Sequence, residues 1–361
     1  MSSRSTITRS ATALALAFAL GSASLIAQHG STGYVQHNLV SDGSVAADHT
    51  DANLVNAWGV AFNPFGFAWV ANNHTGTSTL YDGDGNPQSL VVSIPTPTAH
   101  AGGSPTGIVF NASSGFIVSG ASASGPSRFL FATEDGVIAG WAPSADGTHA
   151  IMAVDNSPAN SIYKGLALSA GGSGQMLYAS DFHNAKVDVF DATFAPVTLA
   201  AGAFTDPGIP AGFAPFGIQA IGGDIYVTYA MQDADAEDDV HGRGLGYVDV
   251  YDPNGALIRR VASRGELNAP WGVALAPAGF GTYSNDLLIG NFGDGRINVF
   301  DLKNGTPAGE LRGADNRPIE IDGLWGLAFG NGLANQPVNT LFFAAGPNDE
   351  ANGLYGRIDA Q

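Results

Sequence analysis

Five carboxylates crowd into seven residues at Asp233, Asp235, Glu237, Asp238 and Asp239. Such a run repels itself unless water or a cation neutralises it, and Ca2+, which takes many oxygen ligands and tolerates irregular loops, is the cation that suits it. A solvated acidic loop is the alternative. A second set of polar residues is dispersed: Asn72, Asn73 and His74; Glu134 and Asp135; Asp181 and His183; Asn291 and Asp294; Asn348 and Asp349; with Asp48, His49, Asp51 and Lys164 between them. Brought to one point, Glu134, Asp181, Asn291 and Asn348 would offer oxygens to a divalent cation, which would polarise a carbonyl and acidify a bound water. His74 or His183 would then move protons at neutral pH. Lys164 would neutralise an anionic substrate or intermediate, or else pair with Glu134 or Asp181. Asn and Asp also simply favour β-turns, so only the fold can decide among these roles.

Other chemistry is excluded by what the chain lacks. It has no cysteine, hence no disulfide, no thiol nucleophile and no zinc–thiolate site. There is no Gly-x-Ser-x-Gly elbow, no His-Glu-x-x-His and no P-loop, and Gly242-Arg243-Gly244-Leu245-Gly246 lacks dinucleotide spacing. Neither a nucleotide nor a flavin is expected. Asp82-Gly83-Asp84-Gly85-Asn86 starts like an EF-hand, but Pro87 and Ser93 stand where that loop needs Gly and Glu, so it reads as a turn between strands. Lys and Arg number 14 against 32 Asp and Glu, a net charge of −18. Nucleic acid would be repelled; cationic partners and solubility are favoured.

The elements that must position these residues recur along the chain. A residue, then Gly, then an apolar run appears as Trp58-Gly59-Val60, Thr106-Gly107-Ile108, Lys164-Gly165-Leu166, Phe216-Gly217-Ile218, Trp271-Gly272-Val273 and Trp325-Gly326-Leu327. The intervals run from 48 (Gly59 to Gly107) to 58 (Gly107 to Gly165), the length of a four-stranded propeller blade with generous loops. A second apolar strand follows each copy, for example Ala68-Trp69-Val70-Ala71. An alternating third follows that, as in Val187-Asp188-Val189-Phe190-Asp191 and Val248-Asp249-Val250-Tyr251-Asp252. The pattern predicts an all-β, six-bladed β-propeller of four-stranded blades, with glycines where inner strands crowd the axis. The segment Tyr34 to Val40 should close the last blade and hide its edge. Trp58, Trp271 and Trp325 either stack a ring-shaped ligand or pack around the channel.

Arg4 and Arg9, the apolar run Ala11 to Leu20, and small residues up to Ala27 form a secretory signal peptide over residues 1–27, leaving 28–361 as one propeller domain. The chain ends without an apolar tail. A secreted or periplasmic, non-membrane monomer is therefore expected.

The strings Phe131-Ala132-Thr133-Glu134-Asp135-Gly136-x-Ile138-Ala139-Gly140-Trp141, Gln232-Asp233-Ala234-Asp235 with Asp238-Asp239-Val240, and Gly290-Asn291-Phe292-Gly293-Asp294-Gly295 resemble an exported bacterial propeller family found beside proteins with the PEP-CTERM sorting signal. The likeness covers nearly all of the chain after the signal peptide. It implies the fold and export, and carries no activity. The sorting tail of some members is missing. The blades also look like NHL repeats. The six-fold ring resembles calcium-dependent lactonases of the gluconolactonase and paraoxonase type, which hold their cation at the axial mouth with Glu, Asn and Asp. On that fold-level analogy, Glu134, Asp181, Asn291 and Asn348 would play such parts. The function expected is binding of a small molecule, glycan or exported protein on the loop-rich face, with Ca2+ as a structural cation. The alternative is a metal-dependent hydrolase, lactonase or lyase with its site at the axial mouth.

Overall fold

The computed structural model describes residues 33–361 except 122, 172 and 173, together with Met1. The expected signal peptide thus lies, but for Met1, outside the described residues. The strands belong to one compact unit, Thr32–Gln361. Blade 1 comprises Ala57–Phe62, Ala68–Asn72, Thr77–Tyr81 and Pro87–Ser93; blade 2 comprises Pro105–Phe110, Phe129–Thr133, Val137–Trp141 and Ile151–Asp155. Blade 4 is Phe213–Ile221, Asp224–Met231, Tyr247–Tyr251 and Leu257–Ser263; blade 5 is Pro270–Leu275, Leu287–Asn291, Ile297–Phe300 and Pro307–Glu310. Blade 3 keeps three strands, Tyr163–Gly171, Gly174–Asp181 and Lys186–Asp191. Its outer strand shrinks to a bridge at Pro196, which has no N–H to extend a ladder. Helix among the described residues is limited to two short 3-10 turns, and no helix there is long and apolar enough to cross a membrane.

Blade 6 (Leu324–Phe329, Leu341–Ala345, Leu354–Ala360) is completed by Tyr34–Ser41. That strand runs antiparallel to the last one, from Tyr34 opposite Ala360 to Ser41 opposite Leu354. The two ends of the ring are thus joined by a full ladder.

The repeat glycines show why the pattern exists. A Cβ on Gly59 would lie 2.4 Å from the Thr106 carbonyl of the next blade. Gly107 faces Leu166 in the same way, Gly165 faces Phe216, Gly217 faces Trp271, Gly272 faces Trp325, and Gly326 faces Trp58. The close approaches run once round the ring and return to blade 1, so each inner strand needs a residue without a side chain there. In every blade the pairing of inner and second strands also slips at this step. Such bulges re-aim side chains, and four of the residues before the glycines, Trp58, Phe216, Trp271 and Trp325, gather in one axial cluster.

Apolar packing follows the same geometry. Six buried clusters lie at the six blade–blade junctions, and a seventh, including Trp58, Phe182, Phe216 and Trp325, lies on the axis. The alternating third strands are buried on both faces. Val248 and Val250 pack toward blade 5, while Tyr247 and Tyr251 pack toward blade 3. Asp249, fully buried between those tyrosines, is retained by an ion pair to Arg260 Nε (2.5 Å).

Candidate functional site: a carboxylate-lined axial mouth

Turns between second and third strands and the connectors entering the inner strands meet at one end of the channel. Asn56, Asn73, His74, Glu134, Asp135, Ile162, Glu237, Asp238 and Glu350 line a cavity of about 430 Å3 there. The opposite end, about 400 Å3, is walled by apolar residues such as Val60, Phe62, Ile108, Phe110, Leu168 and Phe329. Polar chemistry therefore belongs to the first end.

Aromatic rings close the channel behind this mouth. Trp58 stacks on Trp325 at 3.8 Å between centroids, Phe292 stacks on the other side of Trp325 at 3.8 Å, and Trp271 meets both tryptophans edge-on. Trp58 and Trp325 are only 2% and 1% exposed, so these two rings pack on one another and are not open to a ligand, while Trp271 is half-buried. Two of them fix polar groups: Trp271 Nε1 donates to the Lys164 carbonyl (2.9 Å) and Trp325 Nε1 to Asn56 Oδ1 (3.2 Å).

On one side of the mouth, Lys164 is almost wholly buried. It ion-pairs with Glu134, which also accepts from Asn73 Nδ2 (2.7 Å), and with Asp238 (3.0 Å). Its ammonium lies 5.4 Å from the centre of the Trp58 ring. Burial works against the charge, but Glu134 and Asp238 outweigh it and hold the ammonium above its ordinary value. Lys164 is thus a fixed cation, neutralising residents of the mouth.

Glu350 occupies the other side. Its Oε1 accepts from Asn56 Nδ2 (2.9 Å), which lies 3.5 Å from His74 Nε2. Burial pushes the Glu350 carboxyl up to about 7; the negative charges of Glu134 and Asp238 push the same way, while Asn56 and Lys164 pull it down less. The backbone here is unusual. Asn348, Asp349 and Glu350 have φ of 60°, 52° and 63°, and Asn56 has φ 48°. Three consecutive non-glycine residues in the left-handed region are costly, and they carry the carboxyl that titrates nearest neutrality to the cavity wall. Asp135 is also raised, by burial and then by Glu134, against a bond from the Ser104 N–H (2.7 Å).

The dispersed oxygen set is not assembled. Of Glu134, Asp181, Asn291 and Asn348, only Glu134 lines the cavity. Asp181, fully buried, is spent on its own turn, taking Ile162 N–H, Asn184 N–H and Asn184 Nδ2. Asn291 donates to the Glu266 carbonyl (2.7 Å) and Asp294 (3.0 Å), and Asn348 is bound to Asp322 and Asn352. His74 lines the mouth; His183 does not, and its Nδ1 is buried without a partner. The five loop carboxylates also part company. Asp238 faces Lys164, Asp239 faces His241 (3.2 Å), and Asp233 turns back to the Glu237 N–H (3.0 Å), while Asp235 is exposed on the loop and Glu237 lines the mouth. Among the described residues no three His, Asp or Glu side chains are gathered to hold a metal ion. The oxygen set present therefore does not fit the calcium expected for Asp233, Asp235, Glu237, Asp238 and Asp239, nor a cation on the quartet. Asp82, as read from the sequence, caps a turn, accepting from Asp84 N–H (3.0 Å) and Asn86 N–H (2.9 Å).

Sequence reasoning missed Glu350 and Asn56. One signal was present: Asn348-Asp349 precedes Glu350 where the strand pattern places a turn, so a third acidic position there deserved the same weight as its neighbours.

No protein-family model matches the chain. Proteins of Acanthamoeba polyphaga mimivirus do, two of them over most of the chain. "Uncharacterized protein R648" is 35% identical over 328 residues, 89% of this chain and 78% of the relative; "Uncharacterized protein L690" is 33% identical over 329 residues, 89% and 84%. Among solved structures, a glucose dehydrogenase superposes with a TM-score of 0.55 at 14% identity, covering 91% of this chain and 100% of that one. That likeness establishes the propeller fold alone. The relatives and the superposition show the propeller fold; the association with PEP-CTERM proteins stays an implication of the sequence resemblance. At 35% and 33% identity over most of each chain, this protein belongs to the same family as mimivirus R648 and L690.

Proposed function

We propose that the protein is a ligand-binding propeller whose axial mouth takes a small, hydroxylated organic cation such as an amino sugar. The observation that carries this reading is the imbalance of charge: Glu134, Asp135, Glu237, Asp238 and Glu350 surround one cavity, and among the described residues the ammonium of Lys164 is their one buried counter-charge. A ligand ammonium would relieve that repulsion, and Asn56, Asn73 and His74 would meet hydroxyl groups. The volume suits a molecule of sugar size. This narrows the expected range of small molecule, glycan or exported protein to a cationic one. The resemblance to exported propellers and the residue 1–27 pattern support a secreted or periplasmic setting, and a monomer remains part of the reading.

Calorimetric titration with glucosamine, with glucose as the neutral control, tests it. Glucosamine should bind at least tenfold more tightly than glucose. Its affinity should rise from pH 5.5 to pH 7, as Glu350 ionises while the sugar ammonium stays charged, and fall at least tenfold in Glu350→Gln and Glu134→Gln. Equal binding of the two sugars, or an affinity indifferent to both substitutions, would refute the cationic reading.

A second reading rests on Glu350 itself. A carboxyl held near pH 7 beside His74 can take or give a proton, as a lyase or lactone hydrolase requires. Lys164 and Asn73 would orient Glu134 opposite it, with no step passing through a metal. Turnover of lactones or esters by chelator-treated protein, lost in Glu350→Gln but not in Asp181→Asn, would favour this enzyme reading; binding without turnover would leave the protein a binder.

A further inference from the structure

Positive charge is scarce in this chain and unevenly placed. Eight of its 14 Lys and Arg lie between Arg243 and Arg317, in blades 4 and 5. Three of them, Arg264, Arg296 and Arg312, line a groove of about 710 Å3 between the outer strand of blade 4 and the outer strands of blade 5. Two carboxylates, Glu266 and Glu310, line it as well, so the groove holds a net positive charge on a molecule of net charge −18. Its walls include Val261, Tyr283, Phe300 and Pro307.

The three guanidiniums are not equivalent. Arg296 is forked onto Glu320 (3.0 and 2.6 Å), and Arg312 is tied to Glu310 and to the Asn316 carbonyl (2.7 Å). Arg264 is different. Its Nε donates to Tyr247 Oη (2.9 Å), its guanidinium lies 5.9 Å from the Tyr247 ring, and among the described residues it has no carboxylate partner. The two terminal nitrogens are left for another acceptor. Its backbone lies in the left-handed region at φ 54°, a conformation an arginine adopts at a cost. An exposed, strained residue anchored through Nε, with an uncompensated fork at the edge of a partly apolar groove, suits recognition of an oxyanion.

We propose that the groove between blades 4 and 5 binds a small organic oxyanion, a carboxylate or phosphate ester carried on an aromatic or apolar body. The oxyanion pairs with the Arg264 fork, and the body lies along Tyr283, Phe300 and Pro307. This site is separate from the axial mouth, whose carboxylates repel such ligands. The two readings therefore stand or fall independently.

Benzoate and phenyl phosphate are the probes, with benzyl alcohol as the neutral control, followed by amide chemical shifts of isotope-labelled protein. Both anions should bind saturably at millimolar concentration or below, weaken as salt is raised, and shift residues within 261–266 and 305–310. Benzyl alcohol should bind at least tenfold more weakly. Arg264→Asn, which removes the cation and places at this φ a residue that tolerates it, should weaken both anions at least tenfold. Arg264→Lys, which keeps charge but not the fork, should weaken them several-fold and serves if the first variant does not fold. No saturable binding to the native protein, shifts centred elsewhere, or equal affinity in the Arg264 variants would overturn the assignment.

Discussion

Glu350→Gln isolates the cost of holding a carboxyl against its own ionisation. Glu350 titrates near 7 in the fold against 4.5 for a free side chain. Between those values the folded protein binds a proton there that the unfolded chain has given up. Glu350 therefore favours the fold below pH 4.5 relative to above pH 7, and its contribution is lost as pH rises across that window. The interval corresponds to about 3 kcal/mol, and partial hydration of the side chain trims this to about 2 kcal/mol. Glutamine keeps an oxygen for Asn56 Nδ2, occupies nearly the same volume and shares the left-handed backbone, so hydrogen bonding and strain cancel in the comparison. His74, His241, Glu134, Asp135, Asp238 and Lys164 surround the site in both proteins, so the difference between them reports Glu350 together with its charge on His241. Urea unfolding at pH 4.5, 6 and 8 should show the variant matching wild type at the lowest pH and exceeding it by about 2 kcal/mol at the highest. A pH-independent difference, or a wild type more stable at pH 8, would refute the account of how the mouth charges are arranged.

Four further outcomes follow from the packing. Deleting residues 34–41 removes the ladder opposite Leu354–Ala360 and the Tyr34 Oη bond to the Phe280 carbonyl (2.9 Å); it should cause aggregation or a large fall in Tm, and an unchanged melting curve would break the closure model. Gly217→Ala puts a Cβ 2.0 Å from the Trp271 carbonyl, whereas Gly147 has nothing within 4 Å; urea curves should show the first losing about 3 kcal/mol or more and Gly147→Ala staying within about 0.5 kcal/mol. Lys164→Met leaves Glu134 with Asn73 alone and should cost about 1–3 kcal/mol at pH 7, a loss a urea titration would resolve. Melting curves in calcium and in chelator should coincide, because the carboxylates from Asp233 to Asp239 point to different partners; a shift of several degrees would mean the loop regroups around the ion.

The ring was legible because each blade meets the axis under the same steric demand, and that demand leaves a glycine behind a bulge in every copy. Closure by Tyr34–Ser41 was legible for a related reason: blade 6 lacked a strand and the chain had one to spare. Blade 3 departs where Pro196 replaces a ladder donor, a local event that repeat spacing does not register. The site was half legible. Turn position grouped Asn73, His74 and Glu134 as loop residues, and all three line the mouth, whereas Glu237 and Asp238, read as part of a separate calcium loop, join them there. It did not say which side chains turn inward. Asp181 and Asn291 look like mouth residues in sequence, yet both are consumed by the turns that carry them, as short Asx side chains often are. The longer Glu134 and Glu350 reach past their turns.

The distribution of strain separates the residues that build the mouth from those that merely border it. Asn56 and Glu350 come from blades 1 and 6, at the two sides of the ring's closing junction, and each has a positive φ that its neighbours must sustain. Asn56 is held by Trp325 Nε1 (3.2 Å), itself fixed in the stack between Trp58 and Phe292. The aromatic plug thus positions the amide, and the amide positions the carboxyl. A cavity whose sole purpose was to fill the end of the channel would need neither the left-handed turn nor a carboxyl buried among other carboxylates and so held protonated near neutrality. Relieving either would stabilise the fold. Stability forgone at one point of an otherwise regular ring marks where a ligand is expected to act.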